Sequence, residues 1–257
     1  MASITKIFRQ PQLLSLTARK RVLRELRTQL RRKFRSRIVS ALVYGSTLGE
    51  DFSLSSDFDV LIVTKNPNTK LLQELKDLKS DWLQKGVLID FNVHKESDLP
   101  FNRKAVFWHN NRAEYLKKEL ELYGVAIIGK NPFIDIQLDP EELYKEAVRV
   151  INSLNYQARK LYINSELKNK DRILFIKWCI YGALYALASR GIFPPDRKIA
   201  MRRFRQIFKP KISPEKFLRI KLRNPEEITN KDLNIAYSFL SYLDKRIFTD
   251  YQRYVQK

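Results

Sequence analysis

Three carboxylates and one small-residue turn carry the chemistry in this sequence. Asp57 and Asp59 stand two apart at the start of the apolar run Phe58-Asp59-Val60-Leu61-Ile62-Val63, and Asp90 interrupts a second one, Val87-Leu88-Ile89-Asp90-Phe91. Side chains alternate along a strand, so positions i and i+2 point the same way and Phe58 between them turns into the core. Carboxylates crowded in apolar strands repel one another and are costly without a compensating cation. Mg²⁺ suits them, because it takes hard oxygens, uses few carboxylates and fills its remaining positions with water and phosphate. Upstream, the strand Ile38-Val39-Ser40-Ala41-Leu42-Val43-Tyr44 stops at Gly45-Ser46. A glycine there lets the chain turn sharply and offer amide N–H groups and a hydroxyl to an anion such as a triphosphate.

The elements that must position these groups follow from hydrophobic period. Leu23, Leu26, Leu30 and Phe34 step by three and four, which predicts an amphipathic helix whose other faces are Arg and Lys. After the strands at 38–44 and 58–63, residues 68–85 read as a helix with Leu71, Leu72, Leu75, Leu78 and Trp82 on one side, closed by Gly86. A strand at 87–93, an aromatic-rich helix around 103–121 and a short strand at 125–129 complete an α/β unit. Asp139-Pro140-Glu141-Glu142 is a helix start, with Asp as cap, Pro in the first turn and acids following. Helices are then expected at 139–164, 171–190 (capped by Asp171 and ended by Gly191), 197–208, 214–222 and 231–253. The fold class is therefore α+β: a small mixed sheet, then an all-α bundle. The expected domains are a basic N-terminal helix at 1–37, an α/β domain at 38–133 and a helical domain at 139–257.

The spacing as a whole resembles the DNA-polymerase-β-like nucleotidyltransferase superfamily. Its signature is an apolar strand, Gly-Ser, about a dozen residues, Asp-apolar-Asp, and a third acid on a later strand; residues 38–93 follow that order. The resemblance implies that Asp57, Asp59 and Asp90 are catalytic residues and metal ligands for two Mg²⁺ ions, with Asp90 also assisting deprotonation. It implies that Gly45 and Ser46 bind the NTP, with ATP expected. The layout, ending in Gly124-Val-Ala-Ile-Ile-Gly129 before a bundle, is similar to kanamycin nucleotidyltransferase and to minimal nucleotidyltransferases with HEPN-like helices. Some of those enzymes take a general base from the helical domain; Glu142 and Glu146 lie one turn apart there, although acids in a first turn are favoured by the helix dipole alone. HEPN ribonucleases carry Arg, a few residues, then His on a helix. Only Arg103 to His109 has that spacing, and it precedes the bundle, so ribonuclease chemistry is not expected. His94, four residues past Asp90, is either a neighbour of the site or a strand-end histidine.

Composition narrows the rest. Among 257 residues there is one cysteine, Cys179, and there are two histidines, which excludes a disulfide scaffold and a Cys/His zinc module and fits a reducing compartment. Cys179 falls in the apolar run 173–188 and reads as buried and inert. That run is broken by Lys177 and too short to span a bilayer, and the N-terminus lacks a signal-peptide pattern, so a cytoplasmic protein with no membrane partner is expected. The net charge is +21. Residues 18–37 carry ten basic side chains and one acid, and residues 197–223 carry eleven and one, so 19 of the 21 charges lie in two segments. Such surfaces attract polyanions. Arg27 and Arg31 in the first segment, and Arg202, Arg203 and Arg205 in the second, are the candidate nucleic-acid contacts; Phe204 and Phe208 among the latter suit base stacking. The expected activity is transfer of NMP, AMP first, to an acceptor hydroxyl, with RNA as the acceptor. The alternatives are a small-molecule or protein acceptor, or a non-catalytic nucleotide-binding, nucleic-acid-binding or antitoxin-like module.

Overall fold

Two units divide the chain, residues 1–109 with 116–137 and residues 110–115 with 138–257. The computed structural model describes residues 15–34, 36–48, 57–98, 113–135, 137–163 and 167–256.

In the first unit, α1 (Leu16–Phe34) precedes β1 (Ile38–Tyr44), a 3-10 turn (Gly45–Leu48) and β2 (Phe58–Thr64). Then come α2 (Thr69–Gln84), β3 (Ile89–Lys95), α3 (Ala113–Tyr123), whose first residues belong to the second unit, and β4 (Val125–Ile128). The sheet order is β3-β2-β1-β4. β1 runs antiparallel to both β2 and β4, whereas β2 and β3 are parallel. A parallel pair needs a crossover, and α2 is that crossover. The apolar stripe of α1 (Leu26, Leu30, Phe34) and that of α2 (Leu71, Leu75, Leu78, Trp82) share one buried cluster with Val43, Phe58, Val60, Ile62 and Ile89. Phe58 thus points into the core, as the alternation requires. Asn68 caps α2 by accepting from the Leu71 N–H at 2.9 Å, and the positive φ of Gly86 ends it. The strand expected at 87–93 begins instead at Ile89: Val87 still bonds back to Trp82, and Leu88 only accepts from the Phe58 N–H. The helix expected around 103–121 is seen as α3 from Ala113 to Tyr123, and the part of that reading at 103–112 lies outside the described residues.

The second unit contains α4 (Pro140–Ile163), α5 (Asn169–Ala188), α6 (Arg197–Phe208), α7 (Glu215–Lys221) and α8 (Asn230–Val255). Asp139 caps α4, accepting from the N–H groups of Glu141 (2.9 Å) and Glu142 (3.3 Å). Asp171 is not the cap of α5: that position is Lys168, and Asp171 sits three residues on and accepts its N–H at 3.2 Å. From Phe175 to Ala188 α5 is buried nearly all round, as a central helix must be. Gly182 lets α8 approach it, since a Cβ there would lie 2.8 Å from Cδ1 of Leu243. Cys179 is fully buried, and burial pushes its thiol pKa up. Among the described residues no helix is long and apolar enough to cross a membrane.

Candidate active site

The parallel β2–β3 register sets Asp59 directly beside Asp90. Neighbouring strands are about 4.8 Å apart, and equivalent positions face the same way, so the two carboxyl groups share one sheet face. On the other side of β2, Asp59 pairs in register with Tyr44, the last residue of β1. Gly45 follows with a φ of 67°, in the left-handed region glycine favours. A Cβ at that position would lie 2.7 Å from Oδ2 of Asp59, so the carboxylate is seated against the bare turn. Asp57, one residue before the strand, is exposed, while Asp59 and Asp90 are half-buried.

Several groups hold this arrangement in place. Asn92 donates from Nδ2 to the Tyr44 hydroxyl at 2.8 Å, tying β3 to β1 across β2. Burial raises the pKa of the Tyr44 phenol strongly, and the nearby charges of Asp59, Glu119 and Asp90 add to the effect. Arg19 of α1 is buried and donates from Nη1 to the Thr47 carbonyl at 3.1 Å, gripping the turn after Gly45. Thr47 in turn donates to the Asp57 carbonyl at 3.5 Å. On α2, Lys79 pairs with Oδ1 of Asp90 at 3.0 Å. Among the described residues no three His, Cys, Asp or Glu side chains gather closely enough to hold an ion by themselves. Asp57, Asp59 and Asp90 are therefore no closed protein cage. The donor set still fits Mg²⁺, which characteristically binds through one or two carboxylates together with substrate phosphates.

Residues 23–121 match the family model of the nucleotidyltransferase domain. The matched segment contains the Gly45 turn together with Asp57, Asp59 and Asp90. The chain is similar in fold to spectinomycin adenyltransferase AAD(9) from Enterococcus faecialis, solved with ATP and spectinomycin. The TM-score is 0.61 at 13% identity, over 89% of this chain and 98% of that one. No curated protein matches the sequence.

Around Asp59 and Asp90, the sequence alone did not point to Tyr44, Asn92, Lys79 or Arg19. Asn92 alone carried a usable signal, a polar residue two after Asp90 and so on its face of β3. Arg19 is one of the ten basic side chains of residues 18–37, yet it is buried. His94 shares the Asp90 face of β3 but lies four residues along, about 13 Å away. Arg103 and His109 lie outside the described residues, as do 49–56 of the loop before Asp57.

In the second unit, Glu142 pairs with Lys145 at 3.0 Å, whereas Glu146 is only 2% exposed. Glu146 accepts from the N–H groups of Glu114 (2.7 Å) and Tyr115 (3.2 Å), orphan donors at the start of α3. Burial raises its pKa to about 7. The stacking expectation for the second basic segment is corrected by the structure. Phe204 and Phe208 are 0% and 4% exposed and stack on each other at 4.7 Å inside the bundle, so neither can receive a base. Arg202, Arg203 and Arg205 are exposed, and Arg205 is paired with Glu215 at 3.5 Å.

Proposed function

We propose that this protein transfers a nucleoside monophosphate, AMP from ATP in the first instance, to a hydroxyl of an RNA acceptor. The observation that carries the reading is the in-register pair Asp59 and Asp90 beneath the Gly45 turn, within the matched nucleotidyltransferase domain. Asp57, Asp59 and Asp90 would hold Mg²⁺, two ions in all, with the triphosphate. When bound, the metal neutralises charge on the transferring phosphate and acidifies the attacking hydroxyl. The chain's own groups do the positioning. The Gly45–Ser46 turn, held by Arg19 through Thr47, would offer N–H groups to the phosphates. The Tyr44–Asn92 bond keeps β1 and β3 at fixed distance on either side of Asp59. We assign Asp90 the additional role of receiving the acceptor hydroxyl's proton. Attack on the α-phosphate then forms the new phosphoester bond and releases pyrophosphate.

The concentration of 19 of 21 net positive charges in two segments supports a polyanionic acceptor. A small-molecule hydroxyl is the second reading, favoured by the likeness to an adenyltransferase solved with spectinomycin, which spans the helical part as well. Incubation with α-labelled ATP and Mg²⁺, alongside RNA and small-molecule fractions, separates them by where the label goes. Label on RNA, lost with Asp59→Asn, supports the first reading; label on a small molecule overturns its acceptor. No transfer to any fraction overturns the activity.

A further inference from the structure

The basic residues of α1 are not equivalent once the helix is folded. One flank faces α2 and is neutralised or bridged there. Glu25 pairs with Lys85 at 2.6 Å, Lys33 with Asp81 at 3.9 Å, and Gln29 accepts from the Trp82 indole N–H at 3.0 Å. Beyond the helix end, Arg37 pairs with Glu74 of α2. The opposite flank carries Lys20, Arg24, Arg27 and Arg31, all exposed and none with a carboxylate partner among the described residues. At 100° per residue these four fall within about 60° of one another, and they run about 16 Å along the axis. Arg21 widens the row at its start, where a groove lined by Ser15, Thr17, Lys20, Arg21 and Arg24 adjoins it.

Two other uses of a basic helix do not fit. Insertion into a bilayer needs an available apolar face, and here Leu26, Leu30 and Phe34 are at most 1% exposed against the sheet. A protein interface needs buried aromatic or aliphatic anchors, and no apolar side chain between Lys20 and Arg31 is exposed. A ladder of cations with no carboxylate partner among the described residues, and without anchors or stacking rings, suits a phosphodiester backbone bound without regard to sequence.

We infer that the Lys20–Arg24–Arg27–Arg31 flank of α1 is a backbone track for RNA, distinct from the α6 segment and independent of bound nucleotide. This deepens the acceptor reading above and rests on it. The test is anisotropy of a labelled 20-nucleotide single-stranded RNA over a KCl series, without ATP or Mg²⁺. The wild-type chain is compared with the R24Q/R27Q/R31Q and R202Q/R203Q/R205Q variants, each checked by thermal melt. Each phosphate contact contributes about 0.7 to the salt slope on a single strand, so losing three lowers the slope by about 2 and weakens binding at least tenfold near 100 mM salt. The α6 variant should change binding less than threefold. Unchanged affinity and slope in the α1 variant overturn the track; if AMP transfer to RNA persists alongside, the acceptor reading stands without it. No wild-type RNA binding at 50 mM KCl, with label going to a small molecule, overturns both. A wild-type chain that binds phosphatidylserine vesicles, but not RNA, through these arginines also overturns the track.

Discussion

Gly45 leaves open the space into which Asp59 extends, for a Cβ at 45 would stand 2.7 Å from the Asp59 Oδ2. Gly45→Ala therefore acts twice. The φ of 67° costs an alanine about 1 kcal/mol, and the added carbon displaces the carboxylate. Thermal melting should fall by several degrees, and nucleotidyl transfer by roughly a hundredfold, as expected when a reacting group is misplaced by an ångström. Full activity in a folded Gly45→Ala protein would show that Asp59 does not need this seat.

Lys79 and Asp90 form a pair in which both side chains are about half exposed, 49% and 46%. Such pairs contribute about 0–1 kcal/mol, so Lys79→Ala should leave the melting temperature within a few degrees of wild type. Its effect belongs to cation binding. Without a competing ammonium at Asp90, Mn²⁺ titrated as a probe for Mg²⁺ should bind several-fold more tightly, read by its paramagnetic resonance signal. Weaker Mn²⁺ binding would show that the lysine supports the site instead of competing for it.

Glu146 predicts a pH dependence of stability. Its folded pKa is raised to about 7, chiefly by burial, so the folded chain holds a proton that the unfolded chain has already released above the ordinary carboxylate range. Stability contributed by this group is present at low pH and is lost as pH rises through about 7. Glu146→Gln should flatten that decline between pH 5 and pH 8. At pH 5 it should cost about 1 kcal/mol, because the amide has one acceptor oxygen for the two N–H groups of Glu114 and Tyr115. A wild-type decline that persists unchanged in the variant would assign the pH dependence elsewhere.

Phe204 and Arg203 are adjacent in sequence and opposite in consequence. Phe204 is fully buried against Phe208 and Phe239, so Phe204→Ala should remove about 3–5 kcal/mol of stability. Arg203→Gln on the exposed face should stay within about 0.5 kcal/mol. Denaturant midpoints measure both. A mild Phe204→Ala effect would contradict the packing described for α6.

Hydrophobic period made the elements legible, because Leu26, Leu30, Phe34 and the α2 stripe had only one face to bury. Asp59 and Asp90 could be singled out as candidates because ionisable groups in apolar strands have few other uses, and the register sets them side by side. The remainder depended on partners distant in the chain. Nothing local marks Arg19 as the grip on Thr47, or Asn92 as the donor to Tyr44, since each is defined by a neighbour 28 or 48 residues away. The alternation of Arg and Phe in α6 misled for a related reason: a helix turns adjacent residues to different faces, so interleaving in sequence became separation in space.

The parallel pairing of β2 with β3 also bears on how the protein is made. Asp59 and Asp90 meet only after α2 has packed and carried the chain back across the sheet, and contacts between distant segments form late and slowly. A nascent chain that has emerged only as far as Leu88 has its turn and first two aspartates but no Asp90 beside them. Under the proposed function, a partly made chain would therefore spend no nucleotide before β3 joins the sheet.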